Sequence, residues 1–310
     1  MNKILKFDIC VCGYSFKDTI YELNSFPEEN SNKAYNAVVS NKFGGVFNTL
    51  RALRFLNKKI KIKVLTILGK DEDGKQGLKE IKKLNINYHS IVLNNSTSSS
   101  LNIINKKKNT KTFIVQFNSK KIHNIGNIED SRWVHFMYLD NIEFINQFKK
   151  IVLNKKKDQF FSADLSRRTI SKLDLSKYLN KLDFLICSTK ELPSLFKSNR
   201  CNEFNQYSMQ KIKKLSKKIK YIVVHNKFKS LGFIDGTLIE VKNNNLVNNQ
   251  NINITGAGDT FTASLINDFI TNNKIDNKSI SDAHKIASIS LLVKACSGEE
   301  AILAPYLFAN

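Results

Sequence analysis

Short apolar runs rich in β-branched and aromatic residues alternate along the chain with amphipathic segments of helical period. This alternation is typical of a parallel sheet covered by helices on both faces, so it predicts an α/β fold. The predicted strands are Phe7 to Cys12, Ile60 to Leu68, Trp133 to Met137, Gln159 to Ala163, Phe184 to Cys187 and Tyr221 to His225. The predicted helices are Val46 to Leu56, Gly74 to Leu84, Ile142 to Leu153, Glu191 to Lys197, Tyr207 to Lys218, Gly258 to Thr271 and Ser281 to Ala295.

Two stretches, about 14–43 and 99–117, consist instead of strand-like runs separated by polar turns, with no helical period. We expect them to form a small β-sheet lid inserted into the α/β body. No internal repeat is visible, and three prolines and twelve glycines leave little material for a flexible linker. Residues 1–310 are therefore predicted to form a single domain.

The composition of the 310 residues, 42 % hydrophobic and 25 % charged, allows a large core and excludes a disordered chain, a collagen-like repeat or a small disulfide scaffold. No apolar run approaches the ~18 to 20 residues that span a bilayer, and residues 1–7 lack a signal-type apolar stretch. We therefore expect a cytoplasmic protein with no membrane partner. The five cysteines are scattered without a CxxC pair, which argues against disulfides and structural zinc.

The formal net charge of +22 would ordinarily suggest a nucleic acid partner. The basic residues, however, are 43 Lys against 6 Arg, and the chain also contains 38 Asn. This bias is typical of an A/T-rich coding sequence rather than of a surface that reads bases. Lysine runs such as 106–108 and 155–157 also suit solvated surface, so we expect no nucleic acid partner.

A turn of small residues within the segment 253–266 opens directly into an apolar helix. The backbone N–H groups of Gly256, Ala257 and Gly258 can converge there at the positive end of the helix, which makes an anion site. Asp259 would place a carboxylate at the mouth of this site, where it could act as a base. It equally suits a helix-capping role, and the turn alone does not separate the two.

These residues resemble the motifs of a known family. The run Gly256-Ala257-Gly258-Asp259, followed by Phe261 and Ala263, is similar to the carboxy-terminal signature of the ribokinase-like, or PfkB, carbohydrate kinases. Gly44-Gly45 followed by Asn48 resembles the diglycine substrate motif of the same family. Other similar features are Gly13 with Asp18 five residues on, the segment 69–74, and the closing segment around Gly298. Together they cover nearly the whole chain in the family's order.

The resemblance implies a doubly wound, mostly parallel α/β fold with a β-sheet lid. It implies transfer of the γ-phosphoryl group of ATP to a hydroxyl of a sugar, sugar derivative or nucleoside, with Mg²⁺ as cofactor. Asp259 would be the general base, and the turn Gly256 to Gly258 would be the anion hole. The family often uses K⁺ near the region that corresponds to 295–299. Its lid strands can pair between subunits, so a homodimer through the lid is a further expectation.

The same resemblance implies a set of substrate-binding residues. Its members match motif positions and are Asp18, Gly44, Gly45, Asn48, Asp140 and Arg168. Carboxylate and amide groups suit a polyol because each accepts or donates hydrogen bonds in fixed directions. Asp140 could instead cap a helix, and Arg168 could bind a substrate phosphate or carboxylate or pair with a neighbouring acid on the surface.

The nucleotide side departs from the family pattern. The Asn-x-x-Glu motif appears as Ser188-Thr189-Lys190-Glu191, in which Glu191 would organise Mg²⁺ through water. A glycine-containing turn is replaced by the segment 225–230. The residues expected to contact nucleotide are Ser188, His225, Lys227 and His284, although Lys227 also suits plain surface and His284 plain packing. These departures support a second hypothesis, a degenerate, catalytically weak or silent family member that binds a sugar or nucleotide as a sensor or interaction protein.

Overall fold

The computed structural model describes residues 6–30, 38–88, 92–108, 110–118, 128, 130–246 and 256–292. Its strands are β1 (Phe7–Gly13), β2 (Ser15–Leu23), β3 (Val38–Gly45), β4 (Ile62–Leu65), β5 (Ile67–Gly69), β6 (Val92–Asn94), β7 (Ser99–Asn105), β8 (Thr110–Gln116), β9 (Ser131–Met137), β10 (Phe160–Asp164), β11 (Phe184–Ser188), β12 (Tyr221–His225), β13 (Lys229–Ile234) and β14 (Thr237–Lys242). Its α-helices are α1 (Val46–Leu56), α2 (Glu72–Lys83), α3 (Ile142–Leu153), α4 (Arg167–Lys172), α5 (Leu192–Phe196), α6 (Gln206–Leu215), α7 (Ala257–Asn272) and α8 (Asn277–Leu292).

The central sheet has the strand order β14-β13-β12-β11-β10-β9-β1-β4 within the described residues. The strands from β12 to β4 pair in parallel, whereas β13 and β14 run antiparallel at one edge. Parallel strands end at the same edge of a sheet, so residues that follow β9, β10, β11 and β12 are brought towards one another there. The predicted mostly parallel α/β fold is confirmed.

Apolar side chains pack on both faces of this sheet. Along β1, Cys10 belongs to one buried cluster and its neighbour Ile9 to the other, because successive side chains of a strand point to opposite faces. The first cluster includes Phe148 of α3, and the second includes Phe47 of α1 and Phe261 of α7. Helices therefore cover each face of the sheet. Among the described residues, none of these helices has the length and apolarity to cross a membrane.

A second sheet of four strands, in the order β3-β2-β7-β8, is built from the two segments predicted to form the lid. Residues 31–37 of the first segment lie outside the described residues. Strand β2 pairs antiparallel with β3 and parallel with β7, and β7 pairs antiparallel with β8. Asp18 of β2 lies opposite Lys42 of β3 and Ser100 of β7, so these three side chains share one face of the lid.

The predicted strand from Ile60 to Leu68 is divided in the structure. Its first part is β4 of the central sheet, and its second part is β5, which pairs with β6 in a separate small sheet. Thr66 separates the two parts and donates a 3.1 Å hydrogen bond to the Ser15 hydroxyl, which in turn donates to the carbonyl of Ile67 at 2.7 Å. These polar contacts with a distant residue fix the chain where the strand is interrupted. Hydrophobic periodicity does not predict them.

The hairpin of β13 and β14 was not predicted, although the sequence contains a usable signal for it. Its strands are joined by Asp235 and Gly236, whose φ angles are +49° and +81°. Two residues at positive φ are typical of a type I′ turn, for which Asp-Gly is a favoured pair. The exposed side chains of β14 weaken the apolar alternation that would have marked it as a strand.

Candidate active site

Asp259 is the third residue of α7, and its carboxylate lies at the amino-terminal end of that helix. The helix follows Gly256, which has a left-handed φ of +88° that glycine adopts without steric cost. Asp259 is only 5 % exposed, and burial raises its pKa to about 6. Near neutral pH the side chain is thus a carboxylate with an increased affinity for a proton, which is the property required of a general base.

Both oxygens of this carboxylate accept hydrogen bonds from distant parts of the chain. Asn48, in the first turn of α1, donates its amide Nδ2 to Oδ2 at 2.8 Å. Tyr138, which follows β9 with a φ of +46°, donates its hydroxyl to Oδ1 at 2.9 Å. The residue at the cap position of α7 is Gly256, and no side chain of the described residues caps it. The carboxylate is therefore oriented by two side chains rather than held as a helix cap.

Arg51 determines how the Asn48 amide is oriented. Its Nη1 donates to Oδ1 of Asn48 at 3.3 Å and to the carbonyl of Phe43 at 2.8 Å, while its Nε donates to Glu80 at 2.6 Å. Because Arg51 is only a donor, the amide oxygen must face it and the amide nitrogen must face Asp259. A guanidinium that the sequence analysis did not select thus positions the donor to the proposed base.

Around Gly258, the described residues do not cover the first turn of α7. A Cβ atom built on Gly258 would meet no described atom within 4 Å, although the turn belongs to a helix whose later residues are buried. The first N–H groups of a helix have no partner within the helix and lie at its positive end. Gly256, Ala257 and Gly258 therefore place backbone donors at the start of α7 next to Asp259, and no described residue fills the space beside Gly258.

Asp18 and the diglycine segment form a tightly packed unit on the lid. Asp18 is 6 % exposed and accepts a 2.8 Å hydrogen bond from the Ser100 hydroxyl. A Cβ atom on Gly44 would lie 2.0 Å from Oδ2 of Asp18, so only glycine lets the carboxylate approach this backbone. Gly45 has a φ of +64° and turns the chain from β3 into α1, which carries Asn48. Burial raises the pKa of Asp18, and its charge also raises that of Asp259.

Asp140 and Arg168 make contacts away from Asp259. The carboxylate of Asp140 accepts hydrogen bonds from the hydroxyls of Ser166 and Thr169, the latter at 2.7 Å, and so ties down the start of α4. The exposed guanidinium of Arg168 lies 5.5 Å from the ring centroid of Phe117, just after β8. The expectation that Asp140 could cap a helix is wrong, because Asn141 caps α3 and Ser166 caps α4. The substrate role of Asp140 and Arg168 stays a prediction.

Glu191 and Asp164 add two more carboxyl groups on the side where β10 and β11 end. Glu191 accepts hydrogen bonds from the backbone N–H of Ser188, at 2.7 Å, and from its hydroxyl. Asp164 accepts a 2.6 Å hydrogen bond from Thr262 of α7, and burial, with the charges of Glu191 and Asp259, raises its pKa to about 8.

Oxygen donors of this kind suit a hydrated Mg²⁺ ion, which usually keeps several waters and binds through one or two carboxylates. Glu191 and Asp164 thus fit the ion that the resemblance implies. No group of three or more His, Cys, Asp or Glu side chains with the geometry of a direct metal site occurs among the described residues. The predicted K⁺ region, 295–299, Gly298 and the predicted end of the last helix at Ala295 lie outside them.

Two of the residues expected near the nucleotide meet across Phe261. His225 stacks on the Phe261 ring with centroids 4.4 Å apart, and His284 lies against the same ring at 5.0 Å. His284 also shares a 2.8 Å hydrogen bond with the Ser230 hydroxyl. Burial lowers the pKa of His225 to about 3 and that of His284 to about 4, so both rings are neutral at pH 7. Lys227 lies on the neighbouring turn, with its ammonium 4.6 Å from the Phe228 ring centroid.

The sequence model of the pfkB family carbohydrate kinases matches residues 1–301. The chain belongs to this family. A comparison with curated protein sequences gave no match.

Several solved structures are similar in fold to this pfkB chain over almost its whole length. Ribokinase from Giardia lamblia gives a TM-score of 0.79 at 17 % identity, covering 96 % of this chain and 100 % of that one. Arabidopsis thaliana ribokinase complexed with ribose and ATP gives 0.71 at 18 % identity, covering 98 % and 99 %. The Burkholderia thailandensis nucleoside kinase in complex with inosine gives 0.71 at 11 % identity, covering 97 % and 98 %. At these identities the similarity shows the fold.

Within the pfkB chain, the structure brings Asp259 and Asn48 into direct contact and places Asp18 close enough to alter the pKa of Asp259. Tyr138 and Arg51 were not predicted as site residues, although Tyr138 donates to the Asp259 carboxylate and Arg51 orients the Asn48 amide. A tyrosine directly after a parallel strand was a weak signal for the first of them. Nothing in the local sequence marked Arg51, because its role depends on contacts with three separate elements.

Proposed function

We propose that this chain transfers the γ-phosphoryl group of ATP to a hydroxyl of a sugar, a sugar derivative or a nucleoside. The observation that carries the proposal is the buried carboxylate of Asp259 at the open end of α7, oriented by Asn48 and Tyr138. Membership of the pfkB family supports it. The ribose, ATP and inosine named for the Arabidopsis and Burkholderia structures support the same substrate classes.

In this proposal Asp18 and Asn48 hold the acceptor so that one of its hydroxyl groups points at Asp259. Asp259 accepts the hydroxyl proton as the oxygen attacks the γ-phosphorus of ATP. A new phosphorus–oxygen bond forms, the bond from the γ-phosphorus to the bridging oxygen breaks, and ADP leaves with that electron pair. Catalysis of this kind depends mainly on alignment and on stabilisation of charge on the phosphoryl oxygens.

The donors for that charge are the backbone N–H groups of the turn from Gly256 to Gly258. They lie at the positive end of α7, where a transferred phosphoryl group is stabilised most. Glu191 and Asp164 would hold Mg²⁺ through water, and the bound ion would neutralise charge on the ATP phosphates. A carboxyl group with a pKa near 8, such as that of Asp164, keeps one proton at pH 7 until a cation is present.

The experiment is a transfer assay with labelled Mg-ATP and pools of sugars, sugar phosphates, sugar acids and nucleosides. Asp259→Asn removes the base without changing the size of the side chain, and a positioned general base contributes roughly 10² to 10⁴ in rate. We expect a loss of turnover in that range. Asp282→Asn, at an exposed position of α8, is the matched control and should retain full turnover.

The second candidate is a family member that binds its ligands without turnover. It is favoured by the nucleotide side, where the Ser188 side chain is bonded to Glu191 and His225 fills the space beside Phe261. In that case the folded wild-type protein binds a sugar or Mg-ATP in calorimetry, no pool yields a labelled product, and Asp259→Asn leaves binding unchanged. A labelled product that disappears in Asp259→Asn rejects this candidate.

A further inference from the structure

A line of hydrogen bonds runs from α2 through α1 to the proposed base. Glu80 of α2 accepts a 2.6 Å hydrogen bond from Nε of Arg51, and Nη1 of Arg51 donates to Oδ1 of Asn48 at 3.3 Å. Asn48 in turn donates from Nδ2 to Oδ2 of Asp259 at 2.8 Å. The orientation of the Asn48 amide therefore depends on a guanidinium on one side and on the carboxylate of Asp259 on the other.

The guanidinium of Arg51 is itself fixed from several sides. Besides its bond to Glu80, it donates to the backbone carbonyl of Phe43 at 2.8 Å, and its central carbon lies 5.8 Å from the ring centroid of Phe47. The side chains of Arg51 and Glu80 are 16 % and 27 % exposed, so water only partly screens their ion pair. Arg51 is therefore held in place and does not turn with the Asn48 amide.

The two ends of the Asn48 amide have nearly the same shape but opposite hydrogen-bonding roles, since Oδ1 accepts and Nδ2 donates. Asn48 is only 9 % exposed, so solvent has little influence on which end faces Asp259. Rotation of the amide by half a turn would bring Nδ2 against the guanidinium, where two donors meet. It would also bring Oδ1 against the carboxylate, where two acceptors meet. Arg51 thus opposes the rotated amide.

Without Arg51, the preferred orientation of the amide would depend on the protonation state of Asp259. A carboxylate only accepts hydrogen bonds, so it selects the Nδ2 end. A protonated carboxyl group carries an O–H, which can donate to Oδ1 of the rotated amide. The rotated amide would therefore stabilise the protonated form of Asp259, which cannot act as a base.

We propose that Arg51 is a positioning residue that keeps Asp259 available as a base by holding the Asn48 amide in its donating orientation, and that Glu80 anchors Arg51 in this role. This inference rests on the proposed function of Asp259 as general base. It adds to the reaction a pair of residues that act through Asn48 and not on the substrate.

The test compares Arg51→Met with Arg54→Met. Arg54 lies one turn further along α1, and it also joins this helix to the end of α2. Its hydrogen bonds go to backbone carbonyls, those of Leu84 at 2.8 Å, Asn85 at 3.0 Å and Lys58 at 2.6 Å. Arg54→Met therefore controls for the loss of a guanidinium between the same two helices.

In Arg51→Met, the acid limb of kcat/KM should move upwards by about one pH unit, because the charged form of the base loses a steady donor. Activity then falls about tenfold on the acid limb and hardly at all at pH 8.5. Arg51→Lys keeps a cationic donor and should restore part of the shift, and Glu80→Gln should give a smaller shift in the same direction. Arg54→Met should lower the melting temperature without moving the limb.

The double variant Asn48→Ala/Arg51→Met tests whether Arg51 acts through the amide. Residues that act through a single contact have non-additive effects, so the double variant should have the same acid limb as Asn48→Ala alone. Shifts that add overturn the inference. So does an equal loss of kcat/KM at every pH in Arg51→Met, because that pattern indicates a structural role.

A titration of Asp259 keeps the test independent of turnover. With carbon-13 in the aspartate carboxyl groups, the Asp259 signal is the one missing from Asp259→Asn, and its pH dependence gives the pKa directly. A higher pKa in Arg51→Met, but not in Arg54→Met, supports the inference even where no acceptor is phosphorylated and the kinase function fails. The other titratable groups that act on Asp259 are unchanged in both variants, namely Tyr138, Asp18, Asp164 and Lys111.

Melting temperatures show whether each variant is folded. If Arg51→Met does not fold, Arg51→Lys and Glu80→Gln take its place, and a rise in the pKa of Asp259 in either supports the inference. An Asp259 pKa equal to that of the wild type in every folded variant of Arg51 and Glu80 overturns it, whatever their turnover.

Discussion

The amide of Asn48 donates a 2.8 Å hydrogen bond to the carboxylate of Asp259, a residue 211 positions further along the chain. This contact lowers the pKa of Asp259 against the larger effect of burial, and the Tyr138 hydroxyl acts in the same direction. The strength of the proposed base is therefore a balance between a buried environment and two donors.

Replacement of Asn48 tests that balance through the pH dependence of turnover. A base must be deprotonated, so activity falls as the pH drops through its pKa, which is about 6 in the wild type. Asn48→Ala removes a donor to the charged form, so the pKa rises and the acid limb of kcat/KM moves to higher pH. Tyr138→Phe should move it in the same direction, and activity at pH 6 should fall about tenfold or more in Asn48→Ala. An unmoved limb, or an equal shift in the exposed control Asn180→Ala, contradicts this account.

Gly44→Ala should damage acceptor binding. The added Cβ would lie 2.0 Å from Oδ2 of Asp18, so the carboxylate must move away from the backbone. A misplacement of about 1 Å can reduce a rate by roughly 10²-fold, and we expect a loss of that order in kcat/KM for the acceptor. The affinity for Mg-ATP, measured separately by calorimetry, should stay unchanged. An equal loss of affinity for ATP would contradict the assignment of Gly44 to acceptor binding.

Gly258→Ala should reduce kcat/KM for ATP, in contrast to Gly44→Ala, which should reduce kcat/KM for the acceptor. Its Cβ meets no described atom within 4 Å, and alanine is favoured over glycine in a helix, so the melting temperature should stay constant or rise. The methyl group would instead occupy the space where we propose that a phosphoryl group binds beside the helix amides. We expect kcat/KM for ATP to fall about 10²-fold. Full activity in a folded Gly258→Ala variant would show that no anion approaches this turn.

Asp164→Asn should change how stability depends on pH. The folded-state pKa of Asp164, about 8, lies above its unfolded value near 3.8, so its contribution to stability is fully present below about pH 3.8 and is lost as the pH rises towards 8. Asparagine does not ionise and can still accept from Thr262. The melting temperatures of the variant and the wild type should therefore be closer at pH 5 than at pH 8.5. At pH 8.5 we expect the variant to melt on the order of 5 °C higher than the wild type.

The measurement is thermal unfolding without Mg²⁺, because a bound cation would stabilise the ionised carboxylate of the wild type. Asp158→Asn, an exposed position, serves as the control and should show no such divergence. A difference between wild type and Asp164→Asn that stays constant with pH would mean that Asp164 does not titrate in this range.

Much of this arrangement could be predicted from the sequence where local pattern and geometry coincide. The bounds of α1 and α3 agree with those predicted from periodicity, because each has one buried face and one solvated face. Asp259 was selected from a glycine-containing turn, where backbone must lie close to another group, and Asn48 from the resemblance of the diglycine motif to the family pattern. Both turns are short-range features that a sequence displays directly.

The parts that could not be predicted depend on tertiary placement. Tyr138 reaches Asp259 because its backbone takes a positive φ after β9, a conformation that an aromatic residue rarely adopts. Arg51 orients Asn48 because α1, β3 and α2 meet around its guanidinium, which also bonds to Phe43 and Glu80. Neither property is visible in the residue type or in its neighbours.

The two donors to Asp259 precede it in the order of synthesis. Asn48 and Tyr138 are synthesised long before α7, which contains the carboxylate they orient. All described strands of the central sheet and of the lid are therefore synthesised before the residue that completes these contacts. In the proposed mechanism, a copy that ends before α7 would carry Asp18 and Asn48 but lack the carboxylate that accepts the hydroxyl proton.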